Sequence, residues 1–267
     1  MPGGMMDRRT IYDVGVHDGK DSAYYLARGF RVIGVEASPV MAAHLQSRFA
    51  SEIQQGEFVL VNVAIAETEG EAEFWISEHS EWSSFNRDMA SRDGRGCTPV
   101  TVKTRPFGSI IEEYGVPYFC KIDIEGFDSV CLRSLNRRTA PEYISVEMSL
   151  KGPTGDLHLL KNLGYSKFKI VSQMTRSQPS PWLTRIQCAV PWRVAAALRE
   201  ADTRLRGVTS VGEWRFEFSS SGPFGEDTPG RWRSYDAILG HYQALEHVEV
   251  RRERRGLHDW FDIHATQ

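Results

Sequence analysis

Residues 11–39, IYDVGVHDGKDSAYYLARGFRVIGVEASP, limit the possible folds more than any other stretch of the chain. Residues 11–14 form a short apolar run, and Gly15 follows where a strand must leave its sheet without a Cβ in the way. Asp21 and Ser22 offer a cap for a helix over residues 23–28, which Gly29 stops. Residues 31–35, RVIGV, are apolar enough for a strand buried on both faces, and they deliver Glu36 to its C-terminal tip. The pattern is a βαβ unit whose ligand edge is marked on both strands.

The chemistry of the first turn narrows the ligand. A dinucleotide-binding turn, G-x-G-x-x-G, needs its second glycine so that the backbone can approach a pyrophosphate at a helix N-terminus. Here that position is His17, and Asp18 follows, before Gly19. A carboxylate beside a phosphate at ~4 Å in a partly buried cleft costs up to about 4 kcal/mol, which disfavours NAD and FAD. A nucleoside ligand with no phosphate and a cationic tail turns the same field into attraction. S-adenosylmethionine meets that description: Glu36 can accept from both ribose hydroxyls, and Asp13 and Asp18 face the ammonium and sulfonium end. The plainer alternative is a Rossmann-type unit with a solvated acidic turn and no ligand.

The rest of the chain continues the alternation. Ser38 and Pro39 start a helix over residues 39–50, and residues 57–63 make a third strand that runs out into Asn62, Val63, Ala64 and Ile65, where an adenine would stack. Residues 71–76 and 100–104 alternate polar and apolar and pair as an excursion from the main sheet. The polar loop between them, with Ser80, Glu81, Trp82 and Phe85, is either a cover for the cleft or a surface loop with no role. A helix over 106–114, a strand over 118–122 ending on Asp123, a helix over 127–137 and a strand over 142–146 closed by Glu147 follow. Residues 156–163 are helical and 165–171 are a sixth strand; 194–206 form an amphipathic helix and 214–218 a seventh strand, which makes 173–212 an insertion. The Gly/Pro-rich loop 219–232 reads as a lid or a packed structural loop, 234–255 as a last helix, and Trp260 and Phe261 as a docking point for the tail.

Asp13, Glu36, Asp123 and Glu147 therefore all end strands on one edge of the sheet. A single acid there is a turn residue or helix cap, but four on the edge where open α/β sheets bind ligands point to a site. Composition fits a small-molecule partner. The chain of 267 residues is 41% hydrophobic and 25% charged with formal charge -3, which supports neither nucleic-acid nor membrane binding. Cys97, Cys120, Cys131 and Cys188 show no C-x-x-C spacing and read as reduced thiols of a cytoplasmic protein. Residues 1–10 lack a signal-peptide core, and no apolar run reaches the length of a membrane span.

The stretches YDVGVHDG, VIGVEASP, VNVAIAETEG, CKIDIEGFD and YISVEM together resemble the FkbM family of S-adenosylmethionine-dependent methyltransferases, over residues 10–172. The resemblance implies a Rossmann-like, seven-stranded, mostly parallel sheet; with the insertion before the last strand and the C-terminal helical extension read above, the expectation is a single α/β domain. It also implies methyl transfer to a hydroxyl oxygen. By motif position the cofactor contacts fall on Asp13, Gly15, Glu36, Ala64 and Asp123, with His17, Asp18, Gly19 and Ala37 completing the two turns. Family members usually carry Ala-Asn in the first turn, where Val16, His17 and Asp18 stand here. Asp123 and Glu147 are the candidates to meet the acceptor, His17 and His158 weaker ones, and Asp123, Glu125 and Glu147 could alternatively hold Mg²⁺. A non-catalytic cofactor-binding module and an NAD-dependent oxidoreductase are the rival functions.

Overall fold

Parallel strands buried on both faces need helices on their crossovers, and the first half of the chain supplies them in turn. β1 (Asp7–Val14), α1 (Lys20–Ala27), β2 (Arg31–Val35), α2 (Pro39–Arg48), α3 (Ala50–Gln55) and β3 (Phe58–Val61) form the first parallel set. Tyr12 lies opposite Ile33 and Ile33 opposite Val59, so the apolar runs stack across the sheet. Next come β4 (Ala64–Ile65), β5 (Gly70–Ser77), α4 (Arg87–Ala90), β6 (Cys97–Arg105), α5 (Phe107–Tyr114), β7 (Pro117–Ile122) and α6 (Asp128–Ser134). β7 pairs in parallel with β1 on the side away from β2, which gives the order β3-β2-β1-β7 and sets the reversal of strand order at β1. Ligands bind open α/β sheets at that reversal. β5 and β6 pair antiparallel and, with β4, make a separate three-stranded sheet.

The computed structural model describes residues 7–148, 155–217, 220–254 and 259–267. Its contacts divide into two compact units, Met1–Glu142 and Tyr143–Gln267. The second unit holds β8 (Tyr143–Glu147), α7 (Gly155–Asn162), β9 (Lys167–Ser172), α8 (Pro181–Ala189), α9 (Trp192–Arg206), β10 (Ser210–Val211), β11 (Trp214–Arg215), α10 (Tyr235–Glu253) and β12 (Phe261–Thr266). β12 runs antiparallel between β8 and β9. The fold is α/β, with a seven-stranded, mostly parallel sheet in the order β3-β2-β1-β7-β8-β12-β9.

Two expectations need correction. The last strand of the sheet is β12 and not residues 214–218: β11 pairs with β10 alone, in a hairpin turned by Gly212 at φ 59. All six residues of β12 are buried, because the strand is bonded on both edges. Asp21 and Ser22 do not cap α1; the helix starts at Lys20 behind Gly19, and both side chains turn inward, buried. The described part of the 219–232 stretch is packed, as the second of its two readings has it. Of its described residues, Ser220, Ser221, Phe224 and Thr228 are buried, Thr228 O accepts Lys169 Nζ at 2.6 Å, and Glu226 Oε1 accepts the Tyr143 hydroxyl at 3.0 Å.

Candidate active site

The ends of β1, β2 and β7 are stitched together by backbone bonds. Gly15 N–H donates to Val35 O at 2.9 Å, and Asp123 N–H donates to Val14 O at 2.9 Å. Gly15 has φ 88, and a Cβ added there would meet Asp123 O at 1.9 Å, so no other residue fits this crossing. The turn then passes through His17 at φ 53, an uncommon conformation for a residue with a side chain. Glu36 holds that turn. Its Oε2 accepts the His17 backbone N–H at 2.8 Å and its Oε1 accepts that of Ser38 at 2.8 Å. Burial pushes the Glu36 carboxyl up to about 7, while the same two N–H groups pull it down.

In front of these strand ends lies an open cleft, with about 600 Å³ of empty space counting the solvent at its mouth. One wall is apolar, with Val35, Val63, Ala64, Ile65 and Phe74. The other is polar and acidic, with His17, Glu36, Ser80, Glu81, Asp123 and Glu125. The segment between β5 and β6 lines the cleft through Ser80, Glu81, Ser83 and Phe85. His17 Nε2 and Ser80 Oγ are 2.8 Å apart, the Ser84 hydroxyl donates to Glu125 O at 3.1 Å, and Arg92 donates to Glu125 Oε1 at 3.0 Å. Glu125 is also left-handed, at φ 51. Thus two non-glycine residues with positive φ both line the cleft and both grip this segment, where backbone strain commonly accompanies function. Burial lowers the His17 pKa and raises that of Glu125 to about 7, with the Arg92 guanidinium opposing the second shift.

Of the residues singled out from sequence, Gly15, His17, Glu36, Ala37, Ala64 and Asp123 line this cleft together. Asp13 lies behind it, fully buried; its Oδ2 accepts the Ser22 hydroxyl at 2.6 Å, and burial lifts its carboxyl to about 6. Asp13 Oδ1 is buried with no hydrogen-bond donor among the described residues. Asp18 turns to Lys20 Nζ at 2.8 Å, so its charge is already compensated within the turn. Gly19, at φ 82, packs where a Cβ would strike Phe49 Cε2 at 2.5 Å and serves the shape of the turn. Glu147 ends β8 in the second unit, opposite Asp262, and His158 there contacts the Tyr235 hydroxyl at 2.6 Å. Asp123 does not cap α6, whose N-cap is Phe127 with no side-chain cap; Asp128 accepts the N–H groups of Ile124 and Gly126, each at 3.2 Å, in the turn before the helix.

Sequence reasoning passed over Lys121, Arg92 and Ser84. Lys121 sits inside an apolar strand, and its partners are scattered from residue 13 to residue 123. The one available signal was the lysine itself, at a position where the strand is otherwise buried. Among the described residues no group of three or more His, Cys, Asp or Glu is placed to hold a metal, and no helix is long and apolar enough to cross a membrane.

The donor set fits S-adenosylmethionine on structural grounds. Glu36 lines the cleft with its carboxylate already bound by two backbone N–H groups, beside the apolar Val63, Ala64 and Ile65 and the acids Glu81, Asp123 and Glu125. Among solved structures the chain is similar to precorrin-6y C5,15-methyltransferase from Geobacter metallireducens GS-15, at 10% identity over 98% of this chain and 81% of that one, TM-score 0.38. It is also similar to a TehB-like SAM-dependent methyltransferase from Corynebacterium glutamicum, at 12% identity over 62% and 71%, TM-score 0.35. A third is phosphoethanolamine N-methyltransferase 2 from Haemonchus contortus in complex with S-adenosyl-L-methionine, at 13% identity over 99% and 50%, TM-score 0.39. No curated protein matches the sequence. The family model of the methyltransferase FkbM domain matches residues 13–167, more than half of the chain. The chain belongs to the FkbM family of S-adenosylmethionine-dependent methyltransferases.

Proposed function

We propose that the protein methylates a hydroxyl oxygen of a small metabolite or sugar. The observation that supports this best is the placement of Glu36 and Asp123 on one cleft, on either side of the Gly15 turn. When bound, S-adenosylmethionine supplies a methyl group on a sulfonium, an electrophile that needs alignment more than activation. Glu36 would accept from the ribose hydroxyls, Ala37 and Ala64 would border the adenine on the apolar wall, and the Gly15–His17 turn would follow the ligand backbone. Asp123 would stand nearest the cationic end, with Asp13 adding negative charge from behind and Asp18 and Gly19 shaping the turn. A hydroxyl acceptor must lose its proton as its oxygen is methylated. Asp123 is our choice to meet the acceptor, with Glu147 to orient it or take the proton.

We also read the chain as one methyltransferase domain, because the family match runs through the boundary at residue 142 between the two units. Its free thiols favour a cytoplasmic setting. Methyl-labelled S-adenosylmethionine incubated with cell extract and the protein tests the reaction. Label carried in alkali-stable methyl ethers is the expected product. Label found only on amines or carboxylates contradicts hydroxyl transfer.

A further inference from the structure

Directly behind the cleft wall, one ammonium lies among three carboxylates. Lys121 Nζ is 3.3 Å from Asp123 Oδ2, 3.4 Å from Asp21 Oδ2 and 3.8 Å from Asp13 Oδ1. The carboxylates come from three places: β1, α1 and the residue after β7. Asp13 and Lys121 are register partners across the β1–β7 ladder, and α1 covers them with Asp21 and with Ser22, whose hydroxyl binds Asp13. Asp13, Asp21 and Lys121 are buried; of the four groups only Asp123 reaches the cleft wall.

Three carboxylates gathered this closely in a buried pocket repel one another unless a cation stands among them. A lysine suits the place better than an arginine. Its compact ammonium sits 3.3 to 3.8 Å from three separate carboxylate oxygens, whereas a planar guanidinium favours one carboxylate in a bidentate grip.

We propose that Lys121 is a positioning residue for the cofactor cleft: its ammonium, seated among Asp13, Asp21 and Asp123, holds the Asp123 carboxylate in place at the end of β7, so that a fixed negative charge faces a cationic ligand. Lys121 acts through Asp123 and does not line the cleft. The ligand's identity rests on the methyltransferase reading; the charge arrangement does not. Other titratable groups face the cluster from neighbouring elements. They are His17, Asp18 and Lys20 on the turn, Glu36 at the tip of β2, Cys120 on β7, and Glu125 with Arg92 beside Asp123. A wild-type pH profile must be subtracted for their sake.

Two variants test the assignment. Lys121→Met keeps the side chain's length and removes the charge; adding Asp21→Asn removes one of the three acids. Binding of S-adenosylhomocysteine is measured by calorimetry, and the melting midpoint of the ligand-free protein is followed from about pH 5 to about pH 9, the range in which raised carboxyls titrate. Lys121→Met should weaken binding about tenfold at neutral pH and should melt lower as pH rises, relative to wild type, because the unpaired acids repel. The double variant should recover most of both losses. Folding of the double variant alone also supports the proposal, since only charge distinguishes the two. It is overturned if Lys121→Met binds and melts as wild type, if Asp21→Asn restores nothing, or if neither variant folds. Should wild-type protein fail to bind S-adenosylhomocysteine, the methyltransferase reading falls and the melting profiles alone decide the role of Lys121.

Discussion

Glu36 Oε2 accepts the backbone N–H of His17 at 2.8 Å, so a single carboxylate joins the tip of β2 to the turn that follows β1. The same group lines the cleft. A ligand that donates hydroxyl hydrogens to Glu36 therefore meets an acceptor already oriented by two backbone N–H groups, and little is lost in ordering it.

Glu36→Ala should weaken S-adenosylhomocysteine binding by about 2–3 kcal/mol, the loss of a charged acceptor for two hydroxyls. The fold should persist with a lower melting midpoint, since the residue sits at a strand tip and its loss leaves the His17 and Ser38 N–H groups without their acceptor. Calorimetry beside a melting curve checks both halves. Unchanged affinity in a folded variant removes Glu36 from the site.

Burial holds the Glu36 carboxyl near 7, above the ordinary carboxylate range, and this fixes a pH dependence. Hydroxyl donors require the ionised form, so affinity should be greatest above pH 7 and fall as pH drops through it, approaching about tenfold per unit. Stability of the ligand-free protein carries the opposite sign. A raised pKa means that the fold binds this proton more tightly than the unfolded chain, so the contribution falls as pH rises from about 4.5 to about 7 and then levels. Affinity measured at pH 6, 7 and 8 should lose this slope in Glu36→Gln, and an equal slope in both proteins counts against the assignment.

Gly15→Ala should destabilise the protein by more than about 2 kcal/mol, because a positive φ and a collision with backbone act together. The Cβ would lie 1.9 Å from Asp123 O, an atom of the strand end itself, which no side-chain rotation relieves. Thermal or denaturant unfolding measures it. A variant as stable as wild type would mean that the ends of β1 and β7 are not held this close.

Asp123→Asn should lower turnover at least tenfold, a rise of about 1.4 kcal/mol in the barrier, with a smaller effect on cofactor affinity than Glu36→Ala. Helix capping does not compete as an explanation, since α6 carries no side-chain cap. Full activity in Asp123→Asn retires the assignment.

The parts legible in the sequence were those coded locally. Gly15 and Glu36 mark strand ends within one βαβ unit, and the K-I-D-I-E-G run marks the third strand end by itself. What escaped depends on distance along the chain. The weight given to Asp18 as a barrier to phosphate ignored Lys20, two residues on, which pairs with it. Lys121 looked like one polar residue in an apolar strand until folding brought Asp13 and Asp21 to it. β12 was missed because W-R-F-E-F at 214–218 alternates and reads as the last strand, while F-D-I-H-A-T carries polar residues where a buried strand is not looked for. In the fold Asp262 and His264 are as buried as their apolar neighbours, with Asp262 Oδ1 accepting Gln173 Nε2 at 2.9 Å. Alternation alone cannot tell a polar residue facing water from one with a partner waiting across the sheet.

The measurement that bears most directly on the central claim is calorimetric titration of the purified protein with S-adenosylhomocysteine and, separately, with NAD. The acidic cleft in front of Gly15, Glu36 and Asp123 predicts saturable binding of S-adenosylhomocysteine, strongly reduced in Glu36→Ala, and weak or absent binding of NAD. NAD binding as tight as that of S-adenosylhomocysteine, or no binding of the latter at all, contradicts the account.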